Sequence, residues 1–351
     1  KSKSAFVPAK RRRHQPWPRW EACRRLCSFT PILTLSIVGL LVADTVWQGW
    51  LHSGESRSRL RFHSVAELAL FSLEVLLLVI SYLCAVLRGP GFVPPGWEPA
   101  PEEMEYLLGP TSEVPLEVRP PVRDCLQFCW QCDGFKPPRG HHCSACNRCV
   151  LWMDHHCPWI NTCVGYSNLR AFVCFVHYVP LACLHSCVVH SEIPAKLLWM
   201  LYKGFRVRFW TYLLQLNTGL ALVSWLTSLI VMLLVGFLAW DMHASLSDNV
   251  TMIEECVLDK ASLRRATNGE RYFVFPYDLG HSRNWEALMG RRRLLWLLPG
   301  RSQCDGVWPP LRQGSGHFDL SMEQLAQKAH SLSKGRVVPA LKAFDAEGYR
   351  C

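Results

Sequence analysis

Four long apolar runs constrain this 351-residue chain more than any other feature. They read "PILTLSIVGLLVADTVWQGW" (31–50), "VAELALFSLEVLLLVISYLCAVL" (65–87), "AFVCFVHYVPLACLHSCVV" (171–189) and "GLALVSWLTSLIVMLLVGFLAW" (219–240). A helix needs ~20 mostly apolar residues to cross a bilayer. One such run is compatible with a buried helix of a soluble core. Four together predict an α-helical polytopic membrane protein with four transmembrane helices.

Lys and Arg set its orientation, because positively charged loops stay in the cytosol. They collect in the N-terminal stretch, in the segment 88–170 and in the tail from 241. The loops 51–64 and 190–210 hold few, among them Arg57, Arg59, Arg61, Lys196, Lys203, Arg206 and Arg208. Both termini and the cysteine-rich middle are therefore expected in the cytosol. The net charge of +10 lies beside apolar helices, which fits membrane lipids as partners and not nucleic acid. A polar, basic stretch of 30 residues precedes the first run, so no cleavable signal peptide is expected and the first helix serves as an uncleaved anchor.

Composition shifts divide the chain further. Residues 1–30 form a basic N-terminus and 31–87 the first two spans. Residues 88–128 are a linker whose prolines and glycines exclude long regular structure. The zinc-type block covers 129–172, the second pair of spans 171–240, and a C-terminal region 241–335, in which Ser321 and Gln324 have capping-box spacing. Residues 336–351 open a small β domain whose remainder is missing. With Lys1 instead of Met at the start and Cys351 at the end, the chain reads as a fragment.

Between Cys129 and Cys163 the chain is too short and polar to build an apolar core, so metal is expected to hold it together. The order is Cys129-x2-Cys132, then Lys136, Pro138 and Arg139, then His142-Cys143-x2-Cys146-x2-Cys149, then Asp154-His155-His156-Cys157, then Cys163. A reducing cytosol disfavours disulfides, and no βαβ pattern supports a thioredoxin-like pair. Two structural zinc ions fit the paired spacings. With three cysteines and one histidine at each, six cysteines and two histidines are consumed, and Cys157 and one histidine of the pair stay free. A free cysteine beside a histidine and an acid has the parts of an activated nucleophile. Two alternatives keep the zinc. A membrane adaptor that recruits partners needs no free Cys157, and a ubiquitin ligase would need the long interval of a RING finger, which is absent.

The motifs "CWQC", "KPPRGHHCSACNRC", "DHHC" and "PWINTCVGYSNLRAF" resemble the DHHC protein S-acyltransferases, or palmitoyltransferases. Through "GPGFVPPGWEP", "FVFPYDLG", "SMEQLAQKA" and "ALKAFDAEG" the chain is most similar to the endoplasmic-reticulum branch with a C-terminal SH3-like domain. The resemblance implies four spans, with a cytosolic two-zinc cysteine-rich domain between helices 2 and 3 and a cytosolic C-terminal tail. It implies one zinc on Cys129, Cys132, His142 and Cys149, and another on Cys143, Cys146, His156 and Cys163. Cys157 then accepts the acyl group, His155 is its base and Asp154 the orienting acid. Trp159, Thr251, Glu254 and Asn284 are the implied support, with Tyr277, Asp278 and Gly280 in the same packing motif as Asn284. Two departures stand out. Met252 replaces the second threonine of Thr-Thr-x-Glu, and Gly89-Pro90-Gly91 stands where the family has Asp-Pro-Gly. Residues 109–124 look like an insertion. The implied donor is palmitoyl-CoA or another fatty acyl-CoA, and the acceptors are substrate proteins with membrane-proximal cysteines. The implied location is the endoplasmic reticulum membrane, with the Golgi second.

Glu67 and Glu74, seven residues apart, share one face of the second helix. A carboxylate in a span is costly and turns inward to a polar partner. His177, His185 or Asn217 is the expected partner of Glu74. Cys23, Cys27 and Cys351 are candidates for lipidation, although juxtamembrane cysteines are more often small apolar residues.

Overall fold

The computed structural model describes residues 19–48, 65–99, 126–269, 273–302, 306–313 and 315. The basic N-terminal tip, the loop 51–64, the insertion 109–124, the Ser321–Gln324 pattern and residues 336–351 lie outside them.

A short helix α1 (Arg19–Leu26) precedes α2 (Phe29–Val46), and α3 (Val65–Arg88) completes the first half. After the cysteine-rich domain come α4 (Leu169–His190), α5 (Glu192–Tyr202), α6 (Arg206–Leu213), α7 (Leu216–Ser247), α8 (Met252–Asn268) and α9 (His281–Met289). The four apolar runs are the helices α2, α3, α4 and α7, each long and apolar enough to cross a membrane. α7 runs to Ser247, seven residues past the apolar run. Its 32 residues span ~48 Å at 1.5 Å per residue, more than a bilayer core, and Asn249 just beyond its end meets Arg139 of the cysteine-rich domain.

α4 is the central helix: 61% of its apolar window is buried, against 11% for α2 and 17% for α7. The main core joins Leu78, Tyr82 and Ala85 of α3 to Phe172, Val176 and Val179 of α4 and Ala239 of α7, and it continues into Cys157, Ile160 and Val164. The cysteine-rich domain therefore shares a core with the bundle.

Residues 190–210, expected as a loop, form α5 and α6 instead. "EIPAKLLWMLY" is rich in Ala, Leu, Lys and Met, good helix formers, and Gly204 at φ +73° turns the chain between the two helices. Beyond α3, Gly89-Pro90-Gly91 docks the domain on the bundle. Leu151 N donates to Gly91 O at 2.9 Å and Ser167 N to Pro90 O at 3.1 Å. Gly91 sits at φ +87°, and a Cβ there would come within 2.7 Å of Ser167 Oγ, so only glycine fits.

Polar pairs tie the spans together. Thr45 and Ser186 hydroxyls lie 2.9 Å apart, and Ser228 donates to Ser186 at 3.1 Å. His190 Nε2 meets Asp44 Oδ2 at 2.9 Å. Glu74 Oε2 meets His185 Nδ1 at 3.1 Å, so His185 is the partner among the three expected. Asn217 gives its carbonyl to Gln48, and His177 Nδ1 faces Val173 O. Glu74→Gln keeps shape and hydrogen bonding and is expected to change thermal stability in detergent little. Glu74→Leu removes this bond from His185 and is expected to cost ~1 kcal/mol. A Glu74→Leu chain that melts with the parent would remove this contact from the account.

Candidate functional site

The cysteine-rich domain is three antiparallel hairpins: Phe128–Cys129 with Gly134–Phe135, His141–Cys143 with Arg148–Val150, and His155–Cys157 with Thr162–Val164. Their registers coincide. Cys129 pairs with Gly134, Cys143 with Arg148 and Cys157 with Thr162, and these three cysteines are spaced fourteen residues apart. Each turn bends through a left-handed residue, Asp133 at φ 49°, Asn147 at φ 52° and Asn161 at φ 48°. Asp and Asn tolerate that conformation best among residues with a side chain. The domain is a threefold repeat, of which only the doubled cysteine pair is conspicuous in the sequence.

The repeat builds two clusters of donors. Cys129 and Cys132 of the first hairpin meet His142 and Cys149 of the second; Cys143 and Cys146 of the second meet His156 and Cys163 of the third. In each cluster the donor atoms all lie within 4.8 Å of one another. His142 Nδ1 is 3.3 Å from Cys132 Sγ, 3.4 Å from Cys129 Sγ and 3.9 Å from Cys149 Sγ. His156 Nδ1 is 3.5 to 3.6 Å from its three sulfurs. A tetrahedron with Zn–S of ~2.3 Å and Zn–N of ~2.0 Å has edges of about 3.5 Å, so both donor sets fit zinc.

Cys157 and Ile160 occupy in the third hairpin the positions that Cys143 and Cys146 occupy in the second. Ile160 carries no donor, and no fourth hairpin follows, because the chain enters α4. Cys157 thus holds a ligand's position without a cluster to join. It is buried and faces a cavity of about 620 Å³ enclosed by α2, α3, α4 and α7. Cys157, His155, Trp159 and Met252 line one end, and Thr45, Ser186 and Ser228 the other. Between Phe172 and Ser186 the cavity follows α4 for ~21 Å, enough for an extended long-chain acyl group.

Asp154 stands directly before the third hairpin and His155 is its first residue. His155 Nδ1 lies 2.7 Å from Asp154 Oδ2. Burial opposes a charge on His155, but hydrogen bonds and charge from Asp154 and Cys157 outweigh it and raise its pKa to about 9. The Asp154 carboxylate and Cys157 thus favour the protonated ring.

The second oxygen of Asp154 is held from the C-terminal side. Met252 N donates to Asp154 Oδ1 at 2.8 Å. Met252 opens α8, where Thr251 and Glu254 form a reciprocal capping box. The hydroxyl that Met252 lacks is not needed for this bond, because the backbone supplies it. Glu254 is fixed in turn by Arg139, whose Nε and Nη2 bind its two oxygens at 2.8 and 2.7 Å. Arg139 also donates to Asn249 Oδ1 and O, and lies between the rings of Trp152 (4.5 Å) and Tyr277 (4.8 Å). Sequence reading named Arg139 without a role, since its partner is 115 residues away.

Asn284 does not reach Asp154, His155 or Cys157 among the described contacts. Its side chain donates to Ser247 O at 2.7 Å and Asp278 Oδ1 at 2.8 Å and accepts from Leu279 N, which ties α9 to the end of α7. Trp159 is 56% exposed, and its carbonyl accepts from Tyr82 OH at 3.0 Å. On the same loop Asn161 Nδ2 donates to Ser28 Oγ at 2.8 Å and its carbonyl accepts from Arg25, so α1 and the start of α2 hold the turn beside Cys157.

Residues 123–259 match the DHHC palmitoyltransferase family. The chain is 30% identical over 329 residues to Palmitoyltransferase ZDHHC6 of Homo sapiens, covering 87% of this chain and 71% of that protein. It is 31% identical over 315 residues to Probable protein S-acyltransferase 14 of Arabidopsis thaliana, covering 84% and 91%. It is 32% identical over 235 residues to Probable protein S-acyltransferase 16 of the same plant, covering 67% and 76%.

Met252→Pro tests the backbone bond cleanly. Proline suits the first position of a helix, and Thr251 before it is already extended at φ −89°, ψ 160°. The substitution therefore deletes one N–H and keeps α8. Cys157 is expected to react about tenfold more slowly with an alkylating probe, the equivalent of ~1.5 kcal/mol for a hydrogen bond to a charged group, with Met252→Thr unaffected. Equal rates in Met252→Pro and the parent would mean that this bond does not orient Asp154.

Proposed function

We propose that this chain, which belongs to the DHHC palmitoyltransferase family, carries the acyl group on Cys157 during transfer. The chain is a protein S-palmitoyltransferase. The observation that supports Cys157 is its place at the mouth of an apolar cavity, in a ligand's position that the repeat leaves outside both donor clusters.

The donor is palmitoyl-CoA. Its chain lies in the cavity among α2, α3, α4 and α7, where each buried CH2 is worth ~0.8 kcal/mol, and its thioester stands at Cys157. The Cys157 thiolate, paired with imidazolium on His155, attacks the thioester carbonyl. The carbon–sulfur bond to CoA breaks, and the departing thiolate takes the His155 proton. CoA leaves. The thiol of a membrane-proximal cysteine on a substrate protein then gives its proton to His155 and attacks the Cys157 thioester, which restores the thiolate–imidazolium pair. Asp154 keeps the ring oriented and stabilises its charge, as the acid of a triad does.

Cys129, Cys132, His142 and Cys149 hold one zinc, and Cys143, Cys146, His156 and Cys163 the other. Zinc supplies folding energy and fixed hairpin geometry here, and no open coordination position. Arg139, Glu254 and Met252 support the acid, and Asn284 braces the helices behind them. Both termini and the cysteine-rich domain face the cytosol, following the distribution of Lys and Arg. Resemblance to the endoplasmic-reticulum branch supports that membrane.

Incubating the purified chain with labelled palmitoyl-CoA tests the reading. Label is expected on Cys157 as a hydroxylamine-sensitive thioester, and none is expected on Cys157→Ser. His155→Ala is expected to slow labelling ~10²–10³-fold, the share of a general acid–base group. Full thioester labelling of Cys157→Ser would assign the acyl carrier elsewhere.

A further inference from the structure

A second cavity, of about 600 Å³, lies on the opposite face of α4. The first cavity uses Phe172, Phe175, Val176 and Val179 of α4; this one uses Val173, Cys174, His177, Tyr178 and Leu181 of the same helix. α7 and the segment 281–297 complete it. Leu181, at its deep end, lies twelve residues into α4, or ~18 Å along the axis, comparable with half the ~30 Å hydrocarbon core. The cavity therefore runs from the level of lipid headgroups into the acyl region.

Its two ends differ in chemistry. The deep end around Leu181 is apolar, and His177 and His243, with ring centroids 6.4 Å apart, line the middle. The aromatic wall is Trp285 and Trp296, stacked with centroids 6.0 Å apart at 26°. At the mouth stand His281 and Arg293. Arg291, Arg292 and Arg293 are all exposed, and among the described residues no carboxylate pairs with them. Directly after them Leu294 and Leu297 are 88% and 64% exposed. Arg293 lies 6.0 Å from the centre of the Trp296 ring, and a cationic turn without a carboxylate partner among the described residues, running into exposed leucines, belongs at a boundary between lipid and water. A cationic mouth above an apolar, aromatic interior complements an anionic amphiphile.

We propose that this cavity binds an anionic phospholipid of the leaflet on the side of the cysteine-rich domain, with Arg293 and His281 at its phosphate and one chain against Trp285, Trp296 and Leu181. The lipid strengthens a corner of the fold. α9 is tied to Ser247 at the end of α7 by Asn284 Nδ2 and by Trp285 Nε1, at 2.7 and 3.2 Å, and Thr251 and Met252 follow four and five residues later. The inference stands on the cavity and its charge and is independent of which residue carries the acyl group.

The full chain in mild detergent, with phosphatidylserine added, is expected to melt at least ~3 °C higher. Phosphatidylcholine, inorganic phosphate or CoA at the same concentration is expected to give no comparable shift. Phosphatidylserine with brominated chains is expected to quench tryptophan emission. Arg293→Gln is expected to lose most of the shift and the quenching. Leu181→Trp, which fills the deep end and leaves the arginines in place, is expected to lose both as well. A shift of equal size with phosphatidylcholine, phosphate or CoA would overturn the proposal. So would parent-like responses in Arg293→Gln, and a response retained by Leu181→Trp would mean charge attraction at the surface without entry into the cavity.

Discussion

Each donor cluster takes two donors from one hairpin and two from the next, and this sharing between neighbours governs the rest of the molecule. Two clusters draw on three hairpins, half of the first, the whole of the second and half of the third. The third hairpin gives His156 and Cys163 to the second cluster, and its own Cys157 and Ile160 face a bundle where a fourth hairpin would stand. Metal in the two donor clusters would thus rigidify a thiol that lies outside both. A thiolate coordinated to zinc would be a blunted nucleophile, whereas a cysteine held by the same backbone geometry outside both clusters keeps its sulfur available beside His155. Ile160 in place of a cysteine serves the bundle too, because it is fully buried in the core shared with α3 and α4.

The other supports converge on the same hairpin from three directions. Gly89-Pro90-Gly91 fixes its sides, Tyr82, Arg25 and Ser28 hold its turn, and Met252 holds Asp154. The Arg139–Glu254 pair is the costliest of these arrangements, since both side chains are 1% exposed. Burying two charges is repaid only with good geometry and satisfied remaining donors. Here the pair is bidentate, Asn249 takes two further donors and two aromatic rings cover the guanidinium. The gain is positional: the N-terminus of α8 is set against Asp154 across 98 residues of sequence.

The four spans were legible because membrane crossing imposes a length and an apolarity that few other structures need. Their ends were less so: α7 outruns its apolar stretch, since "DMHASLS" continues a helix that leaves the bilayer. α5 and α6 were missed because charges interrupt their apolar residues and the length fell short of a span. The cysteine spacing exposed the two donor clusters. The threefold repeat behind them went unseen, because Ile160 and Phe128 break the pattern of cysteine and histidine while keeping its fourteen-residue step. Met252 stands where the family has threonine, and the contact to Asp154 at that position comes from the backbone N–H, which sequence comparison does not display. Arg139 and the second cavity were beyond sequence reading, as both depend on which distant segments pack together.

Zinc content together with zinc-edge X-ray absorption tests the central claim most directly, namely that the repeat binds two metals and leaves Cys157 outside both. The parent chain is expected to hold two zinc ions, each with on average three sulfurs at ~2.3 Å and one nitrogen at ~2.0 Å, and Cys157→Ser is expected to give the same content and spectrum. Loss of a zinc in Cys157→Ser, or a fall in its sulfur count, would make Cys157 a ligand and contradict the account.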